Sequence, residues 1–321
     1  MVENIWKKHH NIMEEGISYI RERAKGTIKS LKTQWTQFNK IGLNGIEWNS
    51  SVILASRPGV GKTLLVNSLS RSVLELNKDQ DFAVLHFQFE MLGRNLALRE
   101  YSSATGLNIR YLQSVKDDGF PPLNRENYEK LLEYQNSQKD REEYIIDTPM
   151  SVLEMQNNIY KFYRFIKKPF VITLDHTLLV SQDASEQSKQ ITLQNLAIMM
   201  TNVKNKLPVT FIILTQLNRE MDNPERQIPG KLSNFPTESD VFGSDYLLQC
   251  SDVMMAYNRP AKYNISLYGP QKYIITDDDK FLLACHVLKN RFGDVGIDWY
   301  KAEYSKMTII ETTEPNKKII I

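Results

Sequence analysis

The chain has 321 residues, of which 41% are hydrophobic and 24% charged, and its formal net charge is +2. This is an ordinary globular composition, long enough for one large α/β domain or two smaller ones. It carries no global basic field, so any positive charge that meets nucleic acid must be local. Cys250 and Cys285 make neither a metal-type spacing nor a disulfide framework, no apolar run nears the ~20 residues of a membrane span, and the mixed polar start predicts no signal peptide, which together suit a reducing cytoplasm.

Residues 2–24 carry apolar side chains at Ile5, Ile12, Met13, Ile17 and Ile20, close to helical spacing, and Gly26 breaks the pattern. Two readings stand: a helix packed on its own domain, or a protruding helix that docks on a neighbouring subunit. From Ser51 onward, short apolar runs alternate with helical patterns. Residues 52–55, 82–87, 144–146, 170–174 and 209–214 have the length of buried strands, and several are β-branched. Residues 64–76, 127–132 and 152–165 read as helices between them. The alternation predicts a mostly parallel sheet covered on both faces. After Asp252 strand-like runs at 253–257, 281–288 and 297–304 predict hairpins that extend the sheet, with residues 261–280, ending in Asp277-Asp278-Asp279, as an inserted hairpin.

The strongest motif is Ser56-Arg57-Pro58-Gly59-Val60-Gly61-Lys62-Thr63, set between a strand pattern and a helical one. Backbone N–H groups of such a loop and of the helix it opens cradle phosphates. Lys62 is the residue to reach the β- and γ-phosphates of ATP or another NTP, and the Thr63 hydroxyl the one to meet Mg²⁺. Ser56 stands where the pattern has its first glycine. Phosphoryl transfer also needs a carboxylate to order the metal and a group to position water. Asp175 ends the run 170–174, so it projects from the C-terminal end of a buried strand, where open α/β sheets bind ligands. Glu90 follows the run 82–89 in the same way and is a candidate general base; Gln216 ends 209–215 and is placed to sense the γ-phosphate. Lys289 and Arg291 alternate about Asn290, which on a strand directs both cations to one side.

Taken in order, these residues resemble the DnaB-type replicative helicase family, specifically its RecA-like C-terminal motor. The likeness runs from about Gly26 to about Tyr304. It includes Ser56–Thr63, Phe87-Gln88-Phe89-Glu90-Met91, Ile146-Asp147-Thr148-Pro149 and Ile172-Thr173-Leu174-Asp175-His176. It continues through Leu214-Thr215-Gln216-Leu217-Asn218-Arg219-Glu220, Gln249-Cys250-Ser251-Asp252-Val253 before Arg259-Pro260, and Lys289-Asn290-Arg291-Phe292-Gly293. The resemblance implies an α/β RecA-like P-loop ATPase with C-terminal antiparallel strands, divided into a linker helix over 1–25 and a motor domain over 26–321. It implies Glu90 as catalytic base, Asp175 and Thr63 at Mg²⁺, Gln216 coupling the γ-phosphate to DNA loops, and Lys289 with Arg291 acting on a neighbouring subunit's nucleotide. The partners it implies are single-stranded and forked DNA, further copies of the chain in a homo-hexamer, and a primase or helicase loader, with no membrane. Loops 181–190 and 219–245 are the expected channel lining. Their charge is mixed, with Lys189, Arg219, Arg226 and Lys231 against Asp183, Glu186, Glu225 and Asp240, and backbone N–H groups at Phe242, Gly243 and Ser244 are further DNA contacts.

The chain also departs from the family. His176 replaces a frequent aromatic such as Tyr, and 240–245 reads Asp-Val-Phe-Gly-Ser-Asp in place of roughly Asp-Leu-Arg-Glu-Ser-Gly. The separate N-terminal domain of bacterial members has no counterpart, as expected of a phage or mobile-element member. Two other readings compete: a RadA-type recombination ATPase, which shares Lys-Asn-Arg-Phe-Gly, and a nucleotide-binding assembly or loader protein without helicase activity. Against the first stand the missing four-cysteine element and the lack of room for a protease-like domain. Against the second stands the full set Lys62, Thr63, Glu90, Asp175, Gln216 and Arg291.

Overall fold

The computed structural model describes residues 6–114, 123–183, 186 and 188–318. Two N-terminal helices, α1 (His9–Lys25) and α2 (Thr36–Ile41), lead to β1 (Ser51–Ser56), α3 (Lys62–Leu76) and β2 (Ala83–Gln88). Next come α4 (Gly93–Thr105), α5 (Ile109–Gln113), α6 (Arg125–Ser137), β3 (Glu143–Ile146), α7 (Val152–Ile166), β4 (Phe170–Asp175), α8 (Lys189–Lys204) and β5 (Val209–Gln216). The chain closes with α9 (Ser244–Cys250), β6 (Val253–Asn258), β7 (Leu267–Tyr268), β8 (Tyr273–Ile274), β9 (Leu282–Asn290), β10 (Gly296–Glu303) and β11 (Thr308–Thr312).

Nine strands form one sheet in the order β11-β10-β9-β6-β1-β5-β4-β2-β3. From β3 to β6 the neighbours run parallel, and β9, β10 and β11 add antiparallel strands beyond β6. The expected architecture is therefore present, and 261–280 does contain a hairpin, β7 with β8. The central strands β1, β2, β4, β5 and β6 are buried along nearly their whole length because both faces are covered, and the two-residue period sorts their side chains between two cores. Ile53 and Ala55 of β1 join the core built with α7 and α8, whereas Val52 and Leu54 join the one built with α3, Leu31 and Trp35. The hairpin sits on a smaller cluster of its own around Tyr268, Tyr273 and Trp299.

Local chemistry sets the helix ends. α7 begins on a capping box in which Ser151 Oγ accepts from Glu154 N while the Glu154 carboxylate accepts from Ser151 N. α1 ends on Gly26 in the left-handed region. No residue of α1 is buried, and Ile12, Met13, Ile17 and Ile20 are all exposed. Its link to the body is polar: Arg23 Nη2 lies 3.0 Å from Glu47 Oε1, and Tyr19 donates to Glu47 Oε2. The reading of a helix packed on its own domain is thus set aside for these residues, and Ile5 lies outside the described ones.

Candidate functional site

The sheet order puts β1 between β5 and β6, and the register aligns Ser56 with Gln216 on one side and Tyr257 on the other. On the next strands Gln88 aligns with Asp175. The carboxyl ends of β1, β5, β4 and β2 thereby gather the phosphate loop, Gln216, Asp175 and, two residues past β2, Glu90 along one rim. That rim is where doubly wound sheets bind ligands.

The loop itself turns through two glycines in the left-handed region, Gly59 at φ 79° and Gly61 at φ 104°. A Cβ on Gly61 would stand 3.2 Å from the Tyr304 ring, so both backbone and packing require glycine there. Lys62 opens α3, a 15-residue helix whose free N–H groups face the loop. Burial pushes the Lys62 ammonium down from its ordinary pKa, while Asp175 and Glu90 pull it back up. This is a cation held among carboxylates that a polyphosphate would neutralise.

Asp175 has no exposed surface. Its Oδ2 accepts from Gln88 Nε2 at 3.1 Å, but its Oδ1 is buried without a hydrogen-bond partner. Burial raises the carboxyl pKa, with Glu90 adding to the rise and the nearby Thr63 hydroxyl opposing it. A buried acceptor left open beside Thr63 fits a hard cation, which takes oxygen ligands. Among the described residues no cluster of three His, Cys, Asp or Glu side chains could hold a metal alone.

His176 follows Asp175 and is buried. Its Nε2 lies 3.7 Å from Glu90 Oε2 and 3.4 Å from Gln216 Nε2. Burial, then Lys62 and Lys189, bring its pKa down to about 4. Spacing alone did not identify this ring as a neighbour of both Glu90 and Gln216.

The loop is also latched from outside. Arg57 Nε donates to Asp222 Oδ2 at 2.9 Å and Nη1 to the Leu217 carbonyl, so its side chain faces the segment after Gln216 and only its backbone serves the loop. Tyr263 donates to Asp222 Oδ1, Lys262 to the Pro58 carbonyl, and Tyr304 to the Val60 carbonyl. The Arg259 guanidinium lies 5.7 Å from the Tyr304 ring centroid. These partners come from 41 to 244 positions away in sequence, and sequence reasoning missed them.

Lys289 and Arg291 stand elsewhere. β6 pairs Val253 with Asn290, and Val253 aligns with Val52 at the start of β1, so both cations sit at the end of the sheet opposite their own phosphate loop. At ~3.3 Å per residue this separation is on the order of 15 Å along the strands. β9 ends at Asn290, so Arg291 lies just beyond the strand rather than within it, a correction to the simple alternation. Both cations nonetheless reach the junction of α9 and β6: Lys289 Nζ donates to the Leu248 carbonyl and Arg291 Nη1 to Asp252 Oδ1 at 3.1 Å.

The expected DNA contacts divide. Arg226 is a correction: its guanidinium is spent on Asp240 and on the Ser233 and Phe235 carbonyls, and it is mostly buried, so it staples its loop instead of facing a strand of DNA. Lys189 is likewise turned inward, to the Val180 carbonyl. Arg219 is exposed with no ion pair among the described residues, and Lys231 is exposed with one bond to the Glu225 carbonyl. Phe242 packs partly on the core and donates its N–H to the Gln216 carbonyl, so that amide is not free. Gly243 precedes α9 at φ 69°, where a Cβ would strike Leu193. The Ser244 side chain and residues 184, 185 and 187 of the first loop lie outside the described residues.

The family model of the DnaB-like helicase C terminal domain matches residues 30–308. Among curated relatives, the replicative DNA helicase DnaB of Helicobacter pylori (strain J99) is 24% identical over 258 residues, covering 79% of this chain and 49% of its own. That of Geobacillus stearothermophilus is 24% identical over 292 residues, covering 89% and 58%. The chain thus spans about half the length of the curated relatives it matches. One solved ATPase domain superposes with a TM-score of 0.76 at 17% identity, over 94% of this chain and 99% of that one. A DnaB-like replicative helicase solved for its interactions with primase superposes at 0.75 with 17% identity, over 94% and 66%.

Proposed function

Because the chain belongs to the DnaB-like helicase C-terminal domain family, we propose that it is an ATP-dependent replicative DNA helicase, a ring motor that moves on single-stranded DNA and opens forked duplex. The observation that carries this reading is the gathering of Lys62, Thr63, Asp175, Glu90 and Gln216 on one rim of the sheet. Bound Mg-ATP supplies the transferable phosphoryl group and the divalent charge. The loop backbone and Lys62 would hold the phosphates, and Thr63 with Asp175 would hold the cation. Glu90 orients the attacking water and accepts its proton. Gln216 contacts the γ-phosphate and, through the segment that follows it, reports to the DNA channel.

Lys289 and Arg291 cannot serve their own loop, so in this reading they complete the site of an adjacent subunit in a hexamer. The exposed apolar side chains of α1 (His9–Lys25) then bind across to that neighbour. Arg219 and Lys231 are the channel cations left to meet phosphate, and binding is sequence-independent and salt-sensitive. Arg259 and Tyr304 beside the loop offer a flat shelf for the base. A primase or loader is a further partner, and the whole acts in the cytoplasm. No described helix is long and apolar enough to cross a membrane.

The test is unwinding of a forked duplex by wild type and Lys62→Ala, with ATP turnover measured in parallel with and without single-stranded DNA. Wild type should hydrolyse and unwind, and Lys62→Ala should do neither. A wild type that binds Mg-ATP but never hydrolyses it would make the protein a nucleotide-binding assembly factor. Hydrolysis with strand exchange but no unwinding would favour a recombination ATPase.

A further inference from the structure

His176 occupies the space between two residues with different tasks, and its hydrogen bonds fix which atom carries the ring proton. Nδ1 accepts from the Leu178 backbone N–H at 3.3 Å. A ring nitrogen that accepts has its lone pair free, so the imidazole is neutral and its one proton is on Nε2. Nε2 is the atom that faces Glu90 Oε2 at 3.7 Å and the Gln216 amide at 3.4 Å. Two donors cannot satisfy each other, so the Gln216 amide presents its oxygen to this proton, a half-turn that leaves its shape unchanged. The Gln216 amide is thus within hydrogen-bond reach of this proton, while the Glu90 carboxylate, at 3.7 Å, must swing closer to accept it.

The Gln216 side of this bridge is tied to the channel segment. The Gln216 carbonyl accepts from Phe242 N at 2.8 Å, and Leu217 bridges to Val241. A shift of the 219–245 segment is thus transmitted to β5 at the residue whose side chain meets His176. The residue after the ring is tied to β5 as well, since Thr177 Oγ1 and Thr215 Oγ1 lie 3.0 Å apart.

We propose that His176 is a positioning residue that couples DNA contact to the catalytic base, by sharing its single Nε2–H between Gln216 and Glu90. With the proton drawn to Gln216, Glu90 is released to turn toward solvent, where its side chain is 46% exposed. With the proton drawn to Glu90, the carboxylate is held in one orientation for the water it activates. Occupancy of the channel selects the second arrangement. This inference rests on the ATPase reading above.

Two isosteric variants separate the atoms. His176→Asn keeps an acceptor where Nδ1 stands and loses the donor at Nε2; His176→Gln keeps an N–H donor near Nε2. Both should retain a KM for Mg-ATP within about twofold of wild type. His176→Asn should lose at least about tenfold in DNA-stimulated kcat, as expected when a reacting group is misplaced, whereas His176→Gln should keep about half or more. Unchanged stimulation in His176→Asn would overturn the proposal, and so would an equal fall in both variants, which marks a purely structural ring. Should the Asn variant not fold, ¹⁵N spectra of the wild-type imidazole, assigned by difference with His176→Gln, give the tautomer directly. A proton on Nδ1 would refute the bridge. A wild type without Lys62-dependent ATP turnover would refute the ATPase reading instead.

Discussion

A buried carboxylate oxygen without a donor is costly unless a cation meets it, and Asp175 Oδ1 is such an oxygen. Removing that charge should relieve the nucleotide-free protein while emptying the site of its function. Asp175→Asn is therefore expected to raise the nucleotide-free Tm by about 2–4 °C, corresponding to roughly 1 kcal/mol in a chain of this size. The added stabilisation that wild type gains from Mg-ATP should disappear. Differential scanning fluorimetry with and without Mg-ATP checks both, and a lower nucleotide-free Tm would mean that the carboxylate is held by the protein alone. A second buried ring gives a pH prediction. His286 lies in the small core under the hairpin, where Tyr268 Oη is 2.6 Å from its Nε2, and burial brings its pKa down to about 3. Between that value and the unfolded value near 6.5 the unfolded chain binds the extra proton. The stability His286 protects is thus present above about pH 6.5 and falls as pH drops, by about 1.4 kcal/mol per unit. His286→Gln keeps an acceptor for Tyr268 and should flatten that slope in urea melts at pH 7, 6 and 5. An unaltered slope would assign the acid sensitivity to other groups.

At the level of elements, α1 and the β7–β8 hairpin behave oppositely. With no buried residue, α1 adds little apolar packing to its own chain, so removing residues 1–25 should lower the Tm only by what Arg23 and Tyr19 supply to the buried Glu47. The same deletion should shift the assembled protein toward monomer in light scattering, because the exposed stripe Ile12, Met13, Ile17 and Ile20 is then no longer there to grip a neighbour. A truncated chain that still assembles with Mg-nucleotide would remove α1 from the interface. The hairpin region instead reaches back to the phosphate loop through Lys262 and Pro58, and through Tyr263, Asp222 and Arg57. Asp222→Ala frees Arg57 and should raise the KM for Mg-ATP by about three- to tenfold with a smaller change in kcat. An unchanged KM would show that the loop holds its shape unaided. The strands that build the rim were legible in sequence because burial on both faces makes them unbroken apolar runs, and Asp175, Glu90 and Gln216 stand where those runs stop. What was not legible is contact across long separations. Arg226 looks free until Asp240, fourteen positions on, closes on it, and His176 gains its meaning only from Glu90 just past β2 and Gln216 on β5. Helix α4 was missed for another reason: Leu96 and Ser102 are its only buried residues, so it lacks a strong apolar stripe.

At the scale of the whole molecule, each chain carries a phosphate loop at one end of its sheet and a pair of cations at the other. In the proposed hexamer a head-to-tail arrangement would join those ends between neighbours, and repetition with the right rotation would close a ring. Arg291 is half-exposed and its Nη1 is paired with Asp252, itself held by Lys204 and by Ser51 N, so one side of the guanidinium is anchored to its own chain while the rest faces solvent. An arginine offered to a neighbour's phosphate is worth roughly three to five orders of magnitude in kcat. Arg291→Ala should thus bind Mg-ATP and fail to turn it over, and Arg291→Lys should also be impaired, since lysine lacks the planar two-pronged geometry. The most direct measurement mixes Arg291→Ala subunits with Lys62→Ala subunits, each inactive alone, and follows single-turnover hydrolysis, which needs one intact junction and not a working ring. At junctions where an intact loop meets an intact Arg291, hydrolysis should reappear in rings shown to be mixed. If such rings stay at the background of either mutant alone, Arg291 does not act between subunits and the shared site is contradicted.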